Sequence, residues 1–487
     1  MGWARAGLVL VAVVAVGALL VSGGSGADPR TPAGLPGLPP PFLGTAVVGD
    51  GRLAAAIDAY GDVVDLRAGP VGAPLIDNPS DRQAAGTVPA STGIEPWVSL
   101  GRRPARPLWQ ANSVTQRYRP GTNVVVTTAR FGATRVRIVY AAGGSHLACL
   151  TAADREARVS LRSVEPAATR RLRCDDRWAR QTIRAAGRGD RRWLRRALPL
   201  APGAPTWAAQ MYERSLLVLR ALTDRETGAV AAGARDGWAY VWPRDAAATA
   251  LALDAAGYRG EARRITRFLL RLHLDAAARF DGHGAPVPGR GRQGDAAGWV
   301  ATAARAGGLE PPPPSAWRNL PDYQEGDPGD YLGNALAATA DGTKTVLYGA
   351  KSSRRLVRRL GDPASGLDSA AAWAVRPFSQ PRLYPAVRAT LRRLVAERSR
   401  FGITPGEAWP EEDPWTAPTA WTAWSLAAVG ERREALRLLA DLRRAATPAG
   451  ALPERVDAHT GVPRSTTPLA WSHAFAILAL RELWPER

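Results

Sequence analysis

Two periods of apolar residues divide the chain. From about residue 43 to 175, apolar positions come in short alternating or β-branched runs bounded by glycine and aspartate. AVVGDGRLAAAIDAYGDVVDL carries a GD turn on either side of an apolar stretch, and TNVVVTTARFGATRVRIVYAA reads as a hairpin turning at FGAT. Successive strand residues face opposite sides, so this pattern predicts a β-sandwich. From about residue 205 the period becomes helical. Helices are predicted over 206–222, 244–257, 260–277, 295–307, 331–341, 343–360, 366–375, 383–398, 416–430, 432–446 and 467–484. Pro243 and Pro418 stand where prolines open helices, and Gly257 and Gly430 where helices stop. No strand run interrupts them, and a helical unit of this size is expected to close as a ring of helix pairs with its functional loops at one end.

The ends and junctions complete the outline. Arg5 precedes GLVLVAVVAVGALLV, residues 7–21, and Ser25 and Ala27 then fit a small-x-small cleavage pattern. Residues 1–27 are therefore expected to be a signal peptide or an N-terminal anchor, although the run is short for a spanning helix. The protein is expected to be secreted or extracytoplasmic, held to the cytoplasmic membrane in the anchored case. Residues 28–42 read as a proline-rich linker, 43–175 as the β-sandwich domain, 176–204 as an arginine-rich helical linker, and 205–487 as the helical domain. Cys149 and Cys174 are the only cysteines, and in an exported protein they can pair or remain two buried thiols.

Charge narrows the partners. The net charge is +20 and all cationic side chains but Lys344 and Lys351 are arginine, a skew that looks like coding bias. The arginines recur at helix-face spacing, as in RRLVRRL and RATLRRL, and no basic run interleaves with aromatics. Nucleic acid is therefore not an expected partner; an anionic envelope surface fits the charge better. The 17 Trp outnumber the 10 Tyr and 7 Phe. A flat apolar face with an N–H at its edge suits pockets for sugar rings, though most tryptophans fill cores.

Three loops of the helical region concentrate carboxylates and aromatics. In WAYVWPRDAAATALALDAAGY, residues 238–258, Arg244 and Asp245 open a helix just after Trp238 and Trp242. Such a pair can cap the helix, or it can clamp ligand hydroxyls. In WRNLPDYQEGDPGDY, residues 317–331, Glu325 lies in a Pro/Gly-rich loop near Trp317 and Tyr323. In LPERVDAHTGVPRSTTPLAWSHA, residues 452–474, Glu454 precedes a turn and an apolar run carrying Trp471. A lone loop glutamate is ordinarily a solvated charge; three such loops in one helical domain carry more weight.

These segments also carry a resemblance. WPRDAAATALALDAAGY resembles the first signature of glycoside hydrolase family 15, the glucoamylase-type enzymes, and LPERVDAHTGVPRSTTPLAWSHA resembles its last. NLPDYQEGD, GLDSAAAWAVRPF and DPWTAPTAWTAWSLAA follow in the family's usual order, and VVGDGRLAAAIDAYGDVVDL resembles the start of its N-terminal domain. The resemblance implies an N-terminal antiparallel β-sandwich followed by an (α/α)6 helical toroid. It implies Glu454 as general base and Glu325 as general acid, with Gln324 standing where the family commonly has tryptophan before the acid. Glu407, Glu411 and Glu412 are the alternatives for the acid. Arg244 and Asp245 would grip the terminal sugar, with Trp242 and Trp471 shaping its pocket.

The implied chemistry needs two carboxyls in unlike environments, one protonated to give its proton to the leaving oxygen and one ionised to activate water. It implies an inverting, exo-acting α-glucoside hydrolase that releases glucose from non-reducing ends and uses no metal or organic cofactor. With five His and no H-E-x-x-H or Cys/His cluster, the chain shows no metal motif of its own. A monomer acting on carbohydrate is expected. Two other readings stay open at this point: a catalytically silent carbohydrate-binding relative, and a hydrolase of another glycan such as trehalose or an envelope polysaccharide.

Overall fold

A computed structural model describes residues 34–76, 93–154, 157–163, 166–235, 237–290, 293–312, 332–340, 367–406, 409 and 411–486. Glu325, Glu407 and the helix expected over 343–360 lie outside the described residues.

The N-terminal part is a sandwich of two open sheets. The first runs in the order Gly44–Gly49, Ala54–Asp58, Val63–Arg67, Ile94–Leu100, Ala157–Ser163, all antiparallel. The second runs Leu172–Cys174, His146–Ala153, Thr134–Gly143, Val125–Phe131, Ser113–Tyr118. Its hairpin turns at Phe131–Thr134, where Gly132 takes a positive φ of 60°, as FGAT predicts. Facing residues such as Val48, Ile57, Leu66, Val98, Val125, Ile138 and Leu147 form the core between the sheets. One pairing departs from the antiparallel expectation: Leu172–Cys174 runs parallel to His146–Ala153. That register sets Cys149 opposite Cys174, and the two form a disulfide.

Burial shows which sheet faces the helical part. Ser113–Tyr118 alternates exposed and buried, as a strand with one wet face must. Gly44–Gly49, Ala54–Asp58 and Val63–Arg67 are buried at every position, because their second face packs on helices: Val47, Ala56 and Val64 share a core with Leu216 and Leu219. Gly49 lies against Ala221, where a Cβ would press on backbone atoms. The arginine-rich helix α1, Arg177–Leu194, is no free linker; it lies on the second sheet and buries Ala179 and Ile183 against Val124, Val139 and Ala148.

Nine further α-helices are described after α1: α2 Thr206–Leu222, α3 Pro243–Ala255, α4 Arg259–Leu269, α5 Ala296–Ala306, α6 Leu332–Ala340, α7 Tyr384–Glu397, α8 Thr416–Ala428, α9 Arg432–Ala445 and α10 Ala470–Leu483. Contacts run from α3 to α5, to α6, to the 3₁₀ segment Ser369–Ala374, to α8, to α10 and back to α3. These six form a closed inner ring. Each is rich in Ala, and α8 and α10 are buried on every side through Leu426 and Leu480. Helices α2, α4, α7 and α9 stand outside this ring, and their sequences are amphipathic: α9 buries Ala435, Leu438, Leu439, Leu442 and Ala445 and exposes arginines. This is the (α/α)6 toroid.

Two helix predictions need correction. The segment 260–277 stops at Leu269, because the chain must turn back for Phe280 to pair with Val241 in both directions, at 2.7 and 2.8 Å. Ala-rich propensity after residue 270 yields to that pairing. The segment 366–375 is a 3₁₀ turn, started by the Asp368 side chain accepting from the Ala370 amide.

Within the inner ring, α5 and α6 touch backbone to backbone at Gly298, where a Cβ would fall on the Ala337 carbonyl. Gly298→Ala is expected to lower stability by about 1–3 kcal/mol through overpacking, read as a lower denaturant midpoint at unchanged slope.

Candidate active site

The toroid axis is filled by aromatics. Trp299 meets Trp373 at 5.1 Å, Trp373 meets Trp421 at 5.2 Å, and Trp421 meets Trp471 at 5.2 Å, all edge to face. Beside this plug, at the N-terminal ends of the inner helices, lies a cavity of about 310 Å³. Its walls come from segments that lead into α3, α5, α8 and α10: Trp238, Trp242, Arg244 and Asp245; Arg290; Trp409, Glu411 and Trp415; Glu454, Ser465 and Trp471. Trp471 joins the cavity wall to the plug, and the volume suits one small ring compound.

Glu454 is held from several directions. Its amide donates to the Thr466 carbonyl at 2.9 Å and its carbonyl accepts from the Thr416 amide at 3.0 Å. Two residues earlier, the Leu452 amide donates to Nε2 of buried His473 at 2.9 Å, and Nδ1 of that ring meets Ser215 Oγ at 3.0 Å. Burial, aided by the Arg214 charge, pushes His473 down to about 3. The ring is therefore neutral; Nε2 accepts, so Nδ1 carries the proton and donates to Ser215. The histidine of WSHA is thus a structural pin for the glutamate loop.

The Glu454 carboxylate accepts from Trp238 Nε1 at 3.2 Å and from Ser465 Oγ. Burial pushes its pKa up; the donors Ser465 and Trp238 and the charges of Arg235 and Arg290 pull the other way. Removing Ser465 Oγ leaves burial less opposed. Ser465→Ala is expected to raise the Glu454 pKa, so a reaction that needs the ionised carboxylate loses its acid limb at a higher pH. The pH profile of kcat/KM measures this, and an unmoved acid limb would count against Glu454 as the base.

Arg244 and Asp245 form the first turn of α3 and are both buried, 3% and 4% exposed. The N-cap is Trp242, and Arg244 Nε lies 3.8 Å from Asp245 Oδ2. Arg244 donates to Asp295 Oδ2 at 3.1 Å, and its guanidinium lies 4.1 Å from the Trp471 ring centroid. Burial raises the Asp295 carboxyl while Arg244 opposes it. Asp295 and Trp471 together fix the guanidinium plane at the cavity wall. Arg290 lies 5.5 Å from the Trp242 ring. The indole nitrogens of Trp242, Trp409, Trp415 and Trp471 are buried without a hydrogen-bond partner among the described residues, leaving four donors at the cavity for a polar ligand.

Of the residues picked from sequence, Arg244, Asp245, Trp242, Trp471 and Glu454 come together in this one cavity. Of the alternative glutamates, Glu411 lines it in an ion pair with Arg455, and Glu412 is exposed. Sequence reasoning missed Arg290, Asp295, Trp409, Trp415 and Ser465. Trp409 and Trp415 lie in PGEAWPEEDPW, where only the glutamates had drawn notice, and Asp295 just before α5 gave no local signal. Among the described residues, no group of three or more His, Cys, Asp or Glu side chains could hold a metal ion.

Comparison with known proteins agrees with this architecture. Residues 206–278 match the family described as Glycosyl hydrolases family 15. No curated protein matches the chain. The crystal structure of a bacterial glucoamylase complexed with acarbose superposes with a TM-score of 0.58 at 12% identity, covering 91% of this chain and 94% of that one. The glucoamylase of Saccharomycopsis fibuligera gives a TM-score of 0.43 at 14% identity, over 58% of this chain and 96% of that one. A structure described as a wild-type glycosidase gives 0.43 at 19% identity, over 58% and 99%. The family match is confined to residues 206–278, within the helical part, and the likeness to the bacterial glucoamylase, at 12% identity, is one of fold: a β-sandwich followed by an (α/α)6 toroid.

Proposed function

We propose that this protein is an exported, inverting, exo-acting α-glucoside hydrolase that releases glucose from non-reducing ends of α-glucans or α-gluco-oligosaccharides. The observation that carries this reading is the meeting of Glu454, Arg244, Asp245, Trp242 and Trp471 in one cavity beside the aromatic plug. A cavity with room for about one sugar ring takes the end of a glycan, which favours exo action. Arg244 and Asp245 supply a donor and an acceptor to neighbouring sugar hydroxyls, and the Trp471 face packs the ring.

Glu454 serves as general base. Its carboxylate accepts from Trp238 and Ser465, partners that favour the ionised form against the pull of burial. It takes a proton from water as the water attacks the anomeric carbon. Glu325 serves as general acid, giving its proton to the leaving oxygen. It precedes inner helix α6 in the chain, as the cavity-lining segments precede α3, α5, α8 and α10. An inverting pair stands about 6.5–9.5 Å apart, with room for the water. Export rests on the apolar run at 7–21, and the Cys149–Cys174 disulfide suits an oxidising compartment. The test is a substrate panel of maltose, isomaltose, trehalose, dextran and starch, assayed for released glucose. Release from maltose and starch supports the proposal. Release from trehalose alone moves the substrate class, and binding without release points to a silent relative.

A further inference from the structure

Helix α1 carries a feature that sugar hydrolysis does not use. Arg177, Arg180, Arg184, Arg188, Arg191 and Arg195 follow one another at spacings of three or four residues, and all six are exposed. At 3.6 residues per turn they fall within about 80° of one another, on a stripe that flanks the face buried through Ala179 and Ile183. With 18 residues at 1.5 Å each, the stripe is about 27 Å long. Arg119 and Arg137 of the underlying sheet are exposed beside it, and burial together with the charges of Arg137 and Arg191 lowers Arg119 from its ordinary value.

Coding bias puts arginine everywhere, but pairing differs. On α7 and α9 several arginines meet carboxylates: Arg388 and Arg392 reach Glu431, Arg437 reaches Glu434, and Arg444 reaches Asp441. Among the described residues, none of the six stripe arginines makes an ion pair. The nearest carboxylates, Asp176 and Asp190, are engaged by Arg173 and Arg220. Like charges set at i, i+3 and i, i+4 repel, so the stripe weakens the isolated helix.

We propose that the arginine ridge of α1 docks this protein on a membrane surface bearing anionic phospholipid. The ridge is straight, convex and one-signed, which suits a flat field of phosphates. Its side chains reach out from a helix that is itself held rigid on the sheet. Arginine forks match phosphate oxygens. No exposed aromatic residue lies along the ridge, and stacking platforms are what single-stranded nucleic acid requires. Chain length agrees with this partner. Only residues 22–33 separate the apolar run ending at 21 from the first described residue of the sandwich part, a reach of at most about 40 Å. An N-terminal segment in the bilayer would therefore keep the ridge-bearing part close to the headgroups.

The test is sedimentation of the full chain with vesicles of phosphatidylcholine, with and without phosphatidylglycerol, at low and high salt. The apolar N-terminal run contributes equally to both vesicle types, so the ridge is read from the difference between them. The parent protein is expected to prefer the anionic vesicles, and high salt to remove the preference. R184E/R188E/R191E is expected to weaken binding to anionic vesicles about 100-fold and to leave neutral vesicles unaffected. R264E/R267E/R382E makes the same charge change on exposed sites of the toroid and is expected to keep the preference. Should the ridge variant melt early, R184Q/R188Q/R191Q replaces it with the same expectation in a smaller degree. Undiminished binding by the ridge variant, an equal loss in the toroid variant, or displacement from anionic vesicles by duplex DNA at equal phosphate would overturn the proposal.

Discussion

Glu454→Gln is expected to lower kcat on maltose about 100- to 10,000-fold and to leave KM nearly unchanged. The amide keeps the carboxylate's shape and can still meet Trp238 or Ser465, but it cannot take a proton from water. Because the side chain acts on water rather than on sugar, ground-state binding should survive, and the loss should appear in kcat and kcat/KM alike. The matching change at the proposed acid gives a different signature. Glu325→Gln is expected to lower kcat strongly on maltose but much less on an aryl glucoside, whose leaving group departs without a proton. Equal losses for both variants on both substrates would mean that the roles are misassigned.

Asp245→Ala is expected to cost about 2–3 kcal/mol of transition-state stabilisation, roughly a 30- to 150-fold fall in kcat/KM. Asp245 is buried at the cavity wall, and a charged acceptor for a sugar hydroxyl is lost with it. Folding is expected to persist. Asp245 is not the N-cap of α3, and Arg244 loses its 3.8 Å pairing with Asp245 but keeps Asp295 and the Trp471 face. A carboxylate in the first helical turn contributes only about 0.3–1 kcal/mol through the helix dipole, so the melting temperature should fall by a few degrees. Asp245→Asn, which keeps the shape and loses the charge, should fall between parent and alanine variant. An alanine variant that unfolds, with an asparagine variant of full activity, would instead assign Asp245 to structure alone.

How much of this could be read from the chain differs from element to element. The hairpin at FGAT and the amphipathic outer helices α4, α7 and α9 were visible because each obeys a local period that burial on one face enforces. A ring of helix pairs was expected, but which helices line its inside was not legible, since a segment buried on all sides, such as α8, has no polar face to give its orientation. The end of α4 was misread because the pairing of Val241 with Phe280 is long-range and overrides Ala-rich propensity. For the site, Glu454 and the Arg244–Asp245 pair were singled out by the family resemblance of the segments that carry them, local chemistry alone leaving them open to a solvated charge and a helix cap. Asp295 was not, since its role depends on Arg244 reaching it across 51 residues of sequence. The part played by His473 was equally hidden: only its burial against Leu452 and Ser215 shows that the ring is neutral and holds the glutamate loop.

The central claim is that Glu454 drives water directly onto the anomeric carbon of a terminal α-glucosyl unit. Proton NMR of the first glucose released from maltose tests it most directly, because inversion sets the anomer before mutarotation can mix the two forms. The account predicts β-glucose appearing first, at a rate that Glu454→Gln lowers about 100- to 10,000-fold. α-Glucose appearing first, or β-glucose at an undiminished rate from the Glu454→Gln protein, would contradict it.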